Sequence, residues 1–208
     1  MKILSKKYLI KNGQLRYAVT ECNVLKQANN PFILTLHYAF QTPDYLYMIL
    51  DYCNGGDLGF HITRGLFEED EARFYIAELV IAIEYLHKQD IIYRDLKPEN
   101  ILIDSDGHIK LADFGLAKEN VADNNLTKTF CGSNAYLPPE MVGKKGVGKA
   151  ADIYGIGAVL YEMLIGTPPF FSENIKTMYQ NIIKTRLDLP EILSDEAKSL
   201  LSVIINII

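Results

Sequence analysis

The densest group of residues able to do chemistry lies between positions 93 and 115. The run YRDLKPEN ends at Asn100, and the triplet DFG begins at Asp113. Between them, an Asp-Gly pair at 106–107 separates two short β-prone runs and predicts a hairpin. Asn100 and Asp113 are therefore oxygen donors on either side of one hairpin, the type of ligand that Mg²⁺ prefers. Single Asp and Asn residues in turns are usually caps, but caps do not account for a charged run of this length and spacing.

These motifs, with the Pro139-Glu140 pair that follows them, resemble the signature set of protein kinases. Tyr93 in place of the usual His, TFCG at 129–132 and GTPPF at 166–170 resemble the AGC group in particular, which includes the cyclic-nucleotide-dependent kinases and protein kinase B. The resemblance extends from Lys2 nearly to the end of the chain. It implies an enzyme, a serine/threonine-protein kinase.

The resemblance also implies the fold class, α+β and bilobal. We expect an incomplete small N-lobe sheet and a mainly α-helical C-lobe. Residues 1–50 would form the small lobe, 51–57 the hinge and 58–208 the large lobe. The glycines in the run NGGD at 54–57 favour a flexible break there.

Catalytic roles follow from the same resemblance. Phosphoryl transfer depends on positioning and on charge neutralisation more than on covalent help. Asp95 is the expected base for a substrate hydroxyl, and Lys97 would steady the transferring phosphate. Asn100 and Asp113 would hold Mg²⁺, which accompanies ATP as the second expected cofactor.

For nucleotide binding, the resemblance points first to a lysine near the start of the chain. Lys2, on a predicted strand, would bind the α- and β-phosphates of ATP and pair with Glu21 on the helix that follows. The adenine would meet the gatekeeper Leu50 and the backbone of the hinge. The other expected nucleotide contacts are Asp51, Cys53, Asp57 and Leu102.

Regulation and substrate choice are implied as well. Thr129 matches the activation-loop phosphosite, and a phosphate there would need cationic partners, for which Arg94 and Lys118 match. The expected partners are therefore an upstream activating kinase and a protein substrate with basic residues near its target Ser or Thr. The substrate contacts implied by the resemblance are Asp57, Glu99, Ser133 and Glu162.

Buried residues that would support the site can also be named. Leu25, Leu36, Tyr93 and Phe114 match the stacked apolar residues that join the lobes of active kinases. Asp152 matches a buried aspartate that anchors the catalytic loop. Because a buried carboxylate needs partners, we expect backbone groups around position 93 to supply them.

Helical periodicity defines the larger elements. Apolar residues recur every three or four positions from Glu69 to Lys88, which predicts a long amphipathic helix. Residues 17–26 have similar spacing, whereas 34–40 and 46–50 favour strands. Residues 150–164 are apolar on nearly every face and predict a buried helix, and Ser194 can cap a last one.

The kinase pattern is incomplete at both ends, and we expect truncation there. The Gly-rich loop that covers the phosphates is missing before Lys2, which would place Lys2 on an exposed sheet edge. The arginine that pairs with the counterpart of Glu140 is missing beyond the last helix, which would leave Glu140 uncompensated. Asn134-Ala135 replaces the common Pro-Glu of the substrate-docking loop.

Two alternatives to an active kinase remain open. One is a catalytically impaired pseudokinase or truncated copy that acts as a scaffold or competitor. Retention of the central polar residues argues against it, and the missing loop argues for it. The other is a chain that does not fold stably alone.

Composition excludes some classes of function. The net charge of −5 does not suit nucleic acid or an anionic membrane. Three widely spaced cysteines fit a reducing compartment and form no metal or disulfide framework. Without an apolar run long enough to span a bilayer, the expectation is a cytoplasmic protein, also nuclear in part. No dimer surface is evident, so a monomer is expected.

Overall fold

The computed structural model describes residues 1–121, 126–127 and 129–205. The described strands are β1 Lys2–Ser5, β2 Leu36–Gln41, β3 Tyr45–Leu50, β4 Ile101–Ile103 and β5 Ile109–Leu111. The described α-helices are α1 Lys6–Lys11, α2 Leu15–Gln27, α3 Leu58–Ile62, α4 Glu69–Lys88, α5 Pro139–Val142, α6 Ala150–Ile165, α7 Ile175–Lys184 and α8 Asp195–Ile205. The described residues also form 3₁₀ turns at Pro98–Asn100 and Asn134–Tyr136.

The small lobe combines one antiparallel sheet with helix α2. The strand order is β1-β3-β2, with Lys2 opposite Met48. Strand β1 therefore lies at an edge of this sheet, as predicted for Lys2. Helix α2 buries Val24 and Leu25. Strand β2 begins at Leu36 rather than at position 34, because Leu34 instead donates its N–H to the carbonyl of Leu111 at 3.0 Å.

The large lobe is built around α4 and α6, and both helices confirm the predictions from periodicity. A capping box formed by Glu68 and Glu71 starts α4. Val80, one of the apolar residues of α4, is nevertheless 47% exposed. Ser194 caps α8 as predicted, since its Oγ accepts from the N–H of Ala197 at 3.1 Å.

The junction between the lobes is tighter than expected. In the segment 54–57, predicted to be a flexible break, Gly55 donates to the carbonyl of Ile103 at 3.0 Å and Ile103 donates to that of Gly56 at 2.8 Å. A Cβ on Gly55 would lie 2.9 Å from atoms of Ile103. The glycines therefore permit close packing of the backbone on β4. In the described ranges, no helix is both long enough and apolar enough to cross a membrane.

Candidate active site

Asp152 of α6 binds the backbone of the loop that carries Asp95. Asp152 is 1% exposed. Its carboxylate accepts the backbone N–H of Tyr93 at 2.9 Å and that of Arg94 at 2.7 Å, and His87 Nε2 lies 2.7 Å away. Arg94 has a φ of 69°, a left-handed conformation that costs free energy in a non-glycine residue. The buried carboxylate thus has the backbone partners that the sequence predicted, and it stabilises a strained loop.

The Asp95 carboxylate is fixed by two neighbouring segments. Asn100 Nδ2 donates to the Asp95 carbonyl at 2.9 Å and to Oδ2 at 3.1 Å. Ser133 donates from both its N–H and its Oγ to Oδ1 at 3.0 Å. Lys97 Nζ lies 3.7 Å from Oδ2. Both oxygens of the Asp95 carboxylate are thus held in place by hydrogen bonds, and the carboxylate faces the ammonium group of Lys97.

Gly132 permits this close approach. Its φ is 109°, and a Cβ there would lie 2.8 Å from the carbonyl oxygen of Arg94. Only glycine meets both conditions without strain. The sequence showed this glycine beside Ser133 but gave no sign that the backbone of Arg94 lies against it.

Lys2 and Glu21 form the ion pair that was expected of them. Lys2 Nζ lies 2.7 Å from both carboxylate oxygens of Glu21. Burial raises the pKa of Glu21, the Lys2 charge opposes that shift, and the nearby Asp113 carboxylate adds to it. The pair faces a cleft of about 310 Å³ that Asp95 and Asp113 also line, together with Gly115. Side chains from both lobes thus meet around one space.

The donors around this cleft suit a cation that is shared with phosphates. The Nδ2 of Asn100 is engaged by Asp95, which leaves its amide oxygen to serve as a ligand. Asp113 is exposed. No group of three or more His, Cys, Asp or Glu side chains able to hold a metal occurs in the part of the chain that the structure describes. Mg²⁺ characteristically takes one or two protein oxygens and completes its shell with phosphates and water, so these residues fit Mg²⁺ bound with a nucleotide.

The side chain of Asp51 has partners that sequence reasoning missed. Its Oδ2 accepts the N–H of Thr35 at 3.0 Å and lies 3.6 Å from Lys110 Nζ, and its Oδ1 lies 2.8 Å from His37 Nε2. Partial burial favours a higher pKa for Asp51, but hydrogen bonds from Thr35 and His37 and the Lys110 charge hold it below its usual value. The Asp51 N–H also donates to the Thr35 carbonyl at 3.1 Å. Asp51 is thereby bonded to Thr35 and His37 before β3 and to Lys110 on β5.

The other expected nucleotide contacts lie around the same junction. Leu50 ends β3, and Leu102, in the middle of β4, forms a bridge with Asp57. The Asp57 carboxylate caps α3 by accepting the N–H of Phe60 at 2.8 Å, so part of its hydrogen-bonding capacity is already used. Cys53 is half-buried, and burial raises the pKa of its thiol.

Two of the acidic residues expected to meet substrate differ in environment. Glu99 is exposed. Glu162 is half-buried and accepts the hydroxyl of Tyr136 at 2.5 Å. Burial raises the pKa of Glu162, the Tyr136 hydrogen bond opposes that shift, and the charge of Glu99 adds to it. A cationic side chain between the two carboxylates would relieve this repulsion.

Thr129 is not joined to its expected partners. It is exposed, and its hydroxyl lies 3.4 Å from that of Thr127. Arg94 instead donates from Nε to the Leu116 carbonyl at 2.9 Å, and its buried Nη1 has no hydrogen-bond partner among the described residues. Exposed Lys118 has no described bond to Thr129 either. The neutral hydroxyl of Thr129 would attract the Arg94 guanidinium only weakly. The phosphosite remains a prediction.

The residues expected to form an apolar stack lie in one buried cluster, and two of them are in ring contact. The rings of Tyr93 and Phe114 meet edge to face, with centroids 5.2 Å apart. Leu25 belongs to the same buried cluster, and the partly buried Leu36 packs against it.

The carboxylate of Glu140, whose pairing arginine was expected to be missing, lies in a buried environment. Its Oε2 is buried and has no hydrogen-bond partner within the described ranges, and the hydroxyl of Tyr154 is in the same situation. Burial raises the pKa of Glu140. Burial raises the pKa of Tyr154 as well, and the charge of Glu140 adds to that shift.

This combination of a sheet-bearing small lobe, a helical large lobe and a polar cleft between them defines the class of protein. The chain belongs to the protein kinase domain family, whose family model matches residues 1–207. It is 52% identical to protein kinase 2 of Dictyostelium discoideum, over 97% of this chain and 42% of that protein. It is 49% identical to the serine/threonine-protein kinase Sgk1 of Homo sapiens, over 97% of this chain and 47% of that protein. It is 47% identical to the RAC-beta serine/threonine-protein kinase of Rattus norvegicus, over 97% and 42% respectively. These similar proteins are AGC kinases, as the sequence motifs predicted, and the chain spans less than half the length of each.

Proposed function

We propose that this chain provides the catalytic site for transfer of the γ-phosphoryl group of ATP to Ser or Thr hydroxyls of proteins. The observation that carries the proposal is the single cleft in which the Lys2–Glu21 pair faces Asp95 and Asp113. Catalysis of phosphoryl transfer consists mainly of positioning and charge neutralisation. One cationic group and three carboxylates surround this space, so they can both position the reacting groups and neutralise charge.

Each polar residue then has a defined task. Asp95, oriented by Asn100 and Ser133, accepts the proton of the substrate hydroxyl as the hydroxyl attacks phosphorus. Lys97 stabilises the charge on the transferring group, and Lys2 holds the α- and β-phosphates. Asn100 and Asp113 would hold Mg²⁺, which when bound neutralises phosphate charge.

Domain organisation and nucleotide recognition complete this proposal. Residues 1–50 act as the small lobe, 51–57 as the hinge and 58–208 as the large lobe. Leu50 is the proposed gatekeeper beside the adenine, and Leu102 packs under the base. The base binds backbone atoms of the hinge residues 51–53, where the Asp51 N–H is already bonded to Thr35.

Substrate choice and regulation rest on charge. Glu99 and Glu162 favour basic residues near the target hydroxyl, because a cation relieves their mutual repulsion. Phosphorylation of Thr129 by an upstream kinase would supply an anion for Arg94, whose buried Nη1 lacks an acceptor among the described residues. Lys118 is the second cation proposed for that phosphate.

The test compares Asp95→Asn with the wild type in a phosphoryl-transfer assay on a basic Ser peptide with Mg²⁺ and ATP. Asparagine keeps an acceptor for Ser133 but cannot take a proton, so the rate should fall at least about 100-fold. Asp106→Asn, on the exposed β4–β5 turn, is the matched control and should leave the rate unchanged. An Asp95→Asn variant as fast as the wild type would exclude the proposed base. A folded wild type that transfers no phosphate would instead support the catalytically impaired alternative.

A further inference from the structure

One buried carboxylate has no part in the proposed chemistry. Within the described ranges, the buried polar and charged side chains are those of Glu21, Glu78, Asp95, Asn100 and Asp152. The candidate site accounts for all of them except Glu78, which lies on α4 and is 6% exposed. Because a buried carboxylate needs partners, the groups that Glu78 binds indicate what it does.

Glu78 binds the beginning of β5. Its Oε2 accepts the backbone N–H of Ile109 at 2.9 Å, and its Oε1 lies 2.5 Å from Nδ1 of His108. Ile109 is fully buried. Helix α4 is thus joined to the β4–β5 hairpin by one backbone contact and one side-chain contact at the same carboxylate.

The hairpin that receives these contacts is closed by its own hydrogen bonds. Oδ1 of Asp104 accepts the N–H groups of Asp106 at 2.9 Å and of His108 at 3.0 Å, and the Asp104 N–H donates to the carbonyl of His108 at 2.9 Å. A contact at His108 therefore acts on the whole hairpin. Asn100 directly precedes β4, and Asp113 follows β5 after one residue, so the hairpin connects the two proposed Mg²⁺ ligands.

The surroundings of His108 favour its cationic form. Its side chain is 49% exposed, and its ring centroid lies 5.8 Å from that of Phe74 and 6.3 Å from that of Phe32. An imidazolium is attracted both to a carboxylate and to the face of an aromatic ring. These neighbours belong to α4 and to the segment before β2, so the ring of His108 lies among three parts of the chain.

The titratable groups that face this pair are acidic. The hydrogen bond and the charge of Glu78 raise the pKa of His108, slight burial opposes that shift, and the charges of Asp104 and Asp106 in the turn add to it. On α4, burial and the Glu78 charge raise the pKa of Tyr75, so Tyr75 adds no charge near neutral pH. The stabilisation from His108 is complete below its ordinary pKa of 6.5 and is lost as pH rises through the raised value.

We propose that Glu78 and His108 form a pH-sensitive ion pair that holds the β4–β5 hairpin on α4 while His108 is protonated and releases it in part when His108 is neutral. A neutral imidazole can still share one hydrogen bond with Glu78, but that bond is weaker than the charged one. The consequence for nucleotide rests on the proposed function. Since the hairpin connects Asn100 and Asp113, Mg²⁺ and nucleotide should bind more weakly as pH rises above neutrality.

The first test is amide hydrogen exchange, followed by NMR from about pH 6 to about pH 8.5. The protection factor of the Ile109 amide, which is corrected for the intrinsic pH dependence of exchange, should fall about threefold in the wild type, because a charged hydrogen bond becomes neutral at a half-exposed site. Glu78→Gln keeps an acceptor for Ile109, and His108→Phe keeps the ring, but neither should show this fall. Glu84→Gln, an exposed carboxylate of α4 that pairs with Lys88, is the matched control and should keep it.

The wild-type result decides the inference without any catalysis. A protection factor of Ile109 that does not change with pH in the wild type overturns the inference. So does a fall with pH that both Glu78→Gln and His108→Phe retain. A fall in the wild type and in Glu84→Gln that both pair variants lose supports it.

A second measurement separates the ion pair from the proposed function. Calorimetric titration with ADP and Mg²⁺ at about pH 6.5 and about pH 8 gives a ratio of affinities, and this ratio should be about threefold larger in the wild type than in His108→Phe. Equal ratios in the two proteins would overturn the consequence for nucleotide binding. If the wild type bound no ADP at either pH, the proposed nucleotide site would fail, and the exchange of Ile109 would still decide the role of the Glu78–His108 pair.

Discussion

Replacing Asp152 should damage both the stability of the large lobe and the catalytic loop. The carboxylate accepts two backbone N–H groups, from Tyr93 and Arg94, and lies beside the ring nitrogen of His87. Alanine would remove every one of these acceptor contacts at a site that is 1% exposed. The backbone of Arg94, with its φ of 69°, would lose the contact that holds it in a left-handed conformation.

The size of the stability loss follows from the buried N–H groups that the substitution leaves without an acceptor. Each buried N–H without an acceptor costs about 1–3 kcal/mol. Two backbone donors therefore give about 2–6 kcal/mol, and breaking a buried charged network gives a similar figure of about 3–5 kcal/mol. We expect Asp152→Ala to lower the free energy of unfolding by about 4 kcal/mol. Asp152→Asn, which keeps one acceptor oxygen, should lose about half as much.

Urea unfolding followed by circular dichroism measures these differences, and phosphoryl transfer measured well below the unfolding midpoint reports on the loop. The matched control is Asp70→Asn at the exposed start of α4, where a surface ion pair with Arg73 is worth about 0.5 kcal/mol at most. If Asp152→Ala lost no more stability than this control, the buried carboxylate would not be what holds the loop.

Two further substitutions test single features of the site. Because burial raises the pKa of Glu140, the folded state binds its proton more tightly than the unfolded state, and stability should fall as pH rises from the ordinary carboxylate range through that raised pKa. Glu140→Gln should remove this slope and add about 1 kcal/mol at pH 8 in urea unfolding; a variant less stable than the wild type at pH 8 would contradict the assignment. Gly132→Ala should cost about 2 kcal/mol and slow phosphoryl transfer, because its Cβ would meet the carbonyl of Arg94 at 2.8 Å. Gly13→Ala, at a φ of 65° with no atom within 4 Å of the new Cβ, measures conformational strain alone, and equal losses in the two variants would exclude the clash.

The features that sequence predicted well depend on local patterns. Helix α4 has the predicted bounds because its apolar spacing and its capping box both depend only on residues that are contiguous in the sequence. The β4–β5 hairpin was predictable from Asp106-Gly107, where Gly107 has a φ of 88°. The partners of Lys2 and Asp152 were predictable only through the resemblance to AGC kinases, since neither pair is close in sequence.

The features that were missed are either short helices or contacts between distant segments. Helix α1 has only six residues and α3 five, too few for a periodic signal to emerge. Helix α7 was also missed, although Asn174 caps it by accepting the N–H groups of Lys176 and Thr177. The ties from Asp51 to His37 and Lys110 join three segments that are far apart in the chain. No spacing rule indicates such contacts.

The same contacts explain how the hinge and the catalytic residues form one unit. Lys110, held at 3.6 Å by the Asp51 carboxylate, lies on β5, and this strand leads through Ala112 directly to Asp113. The carbonyl of Ala112 accepts the hydroxyl of Tyr93, whose backbone N–H is bonded to Asp152. One short strand therefore links the Asp51 side chain to the proposed Mg²⁺ ligand Asp113 and to the loop that carries the proposed base. Because Asp51 is also bonded to the small lobe, the position of Asp113 relative to the Lys2–Glu21 pair depends on side chains as well as on the backbone of the hinge.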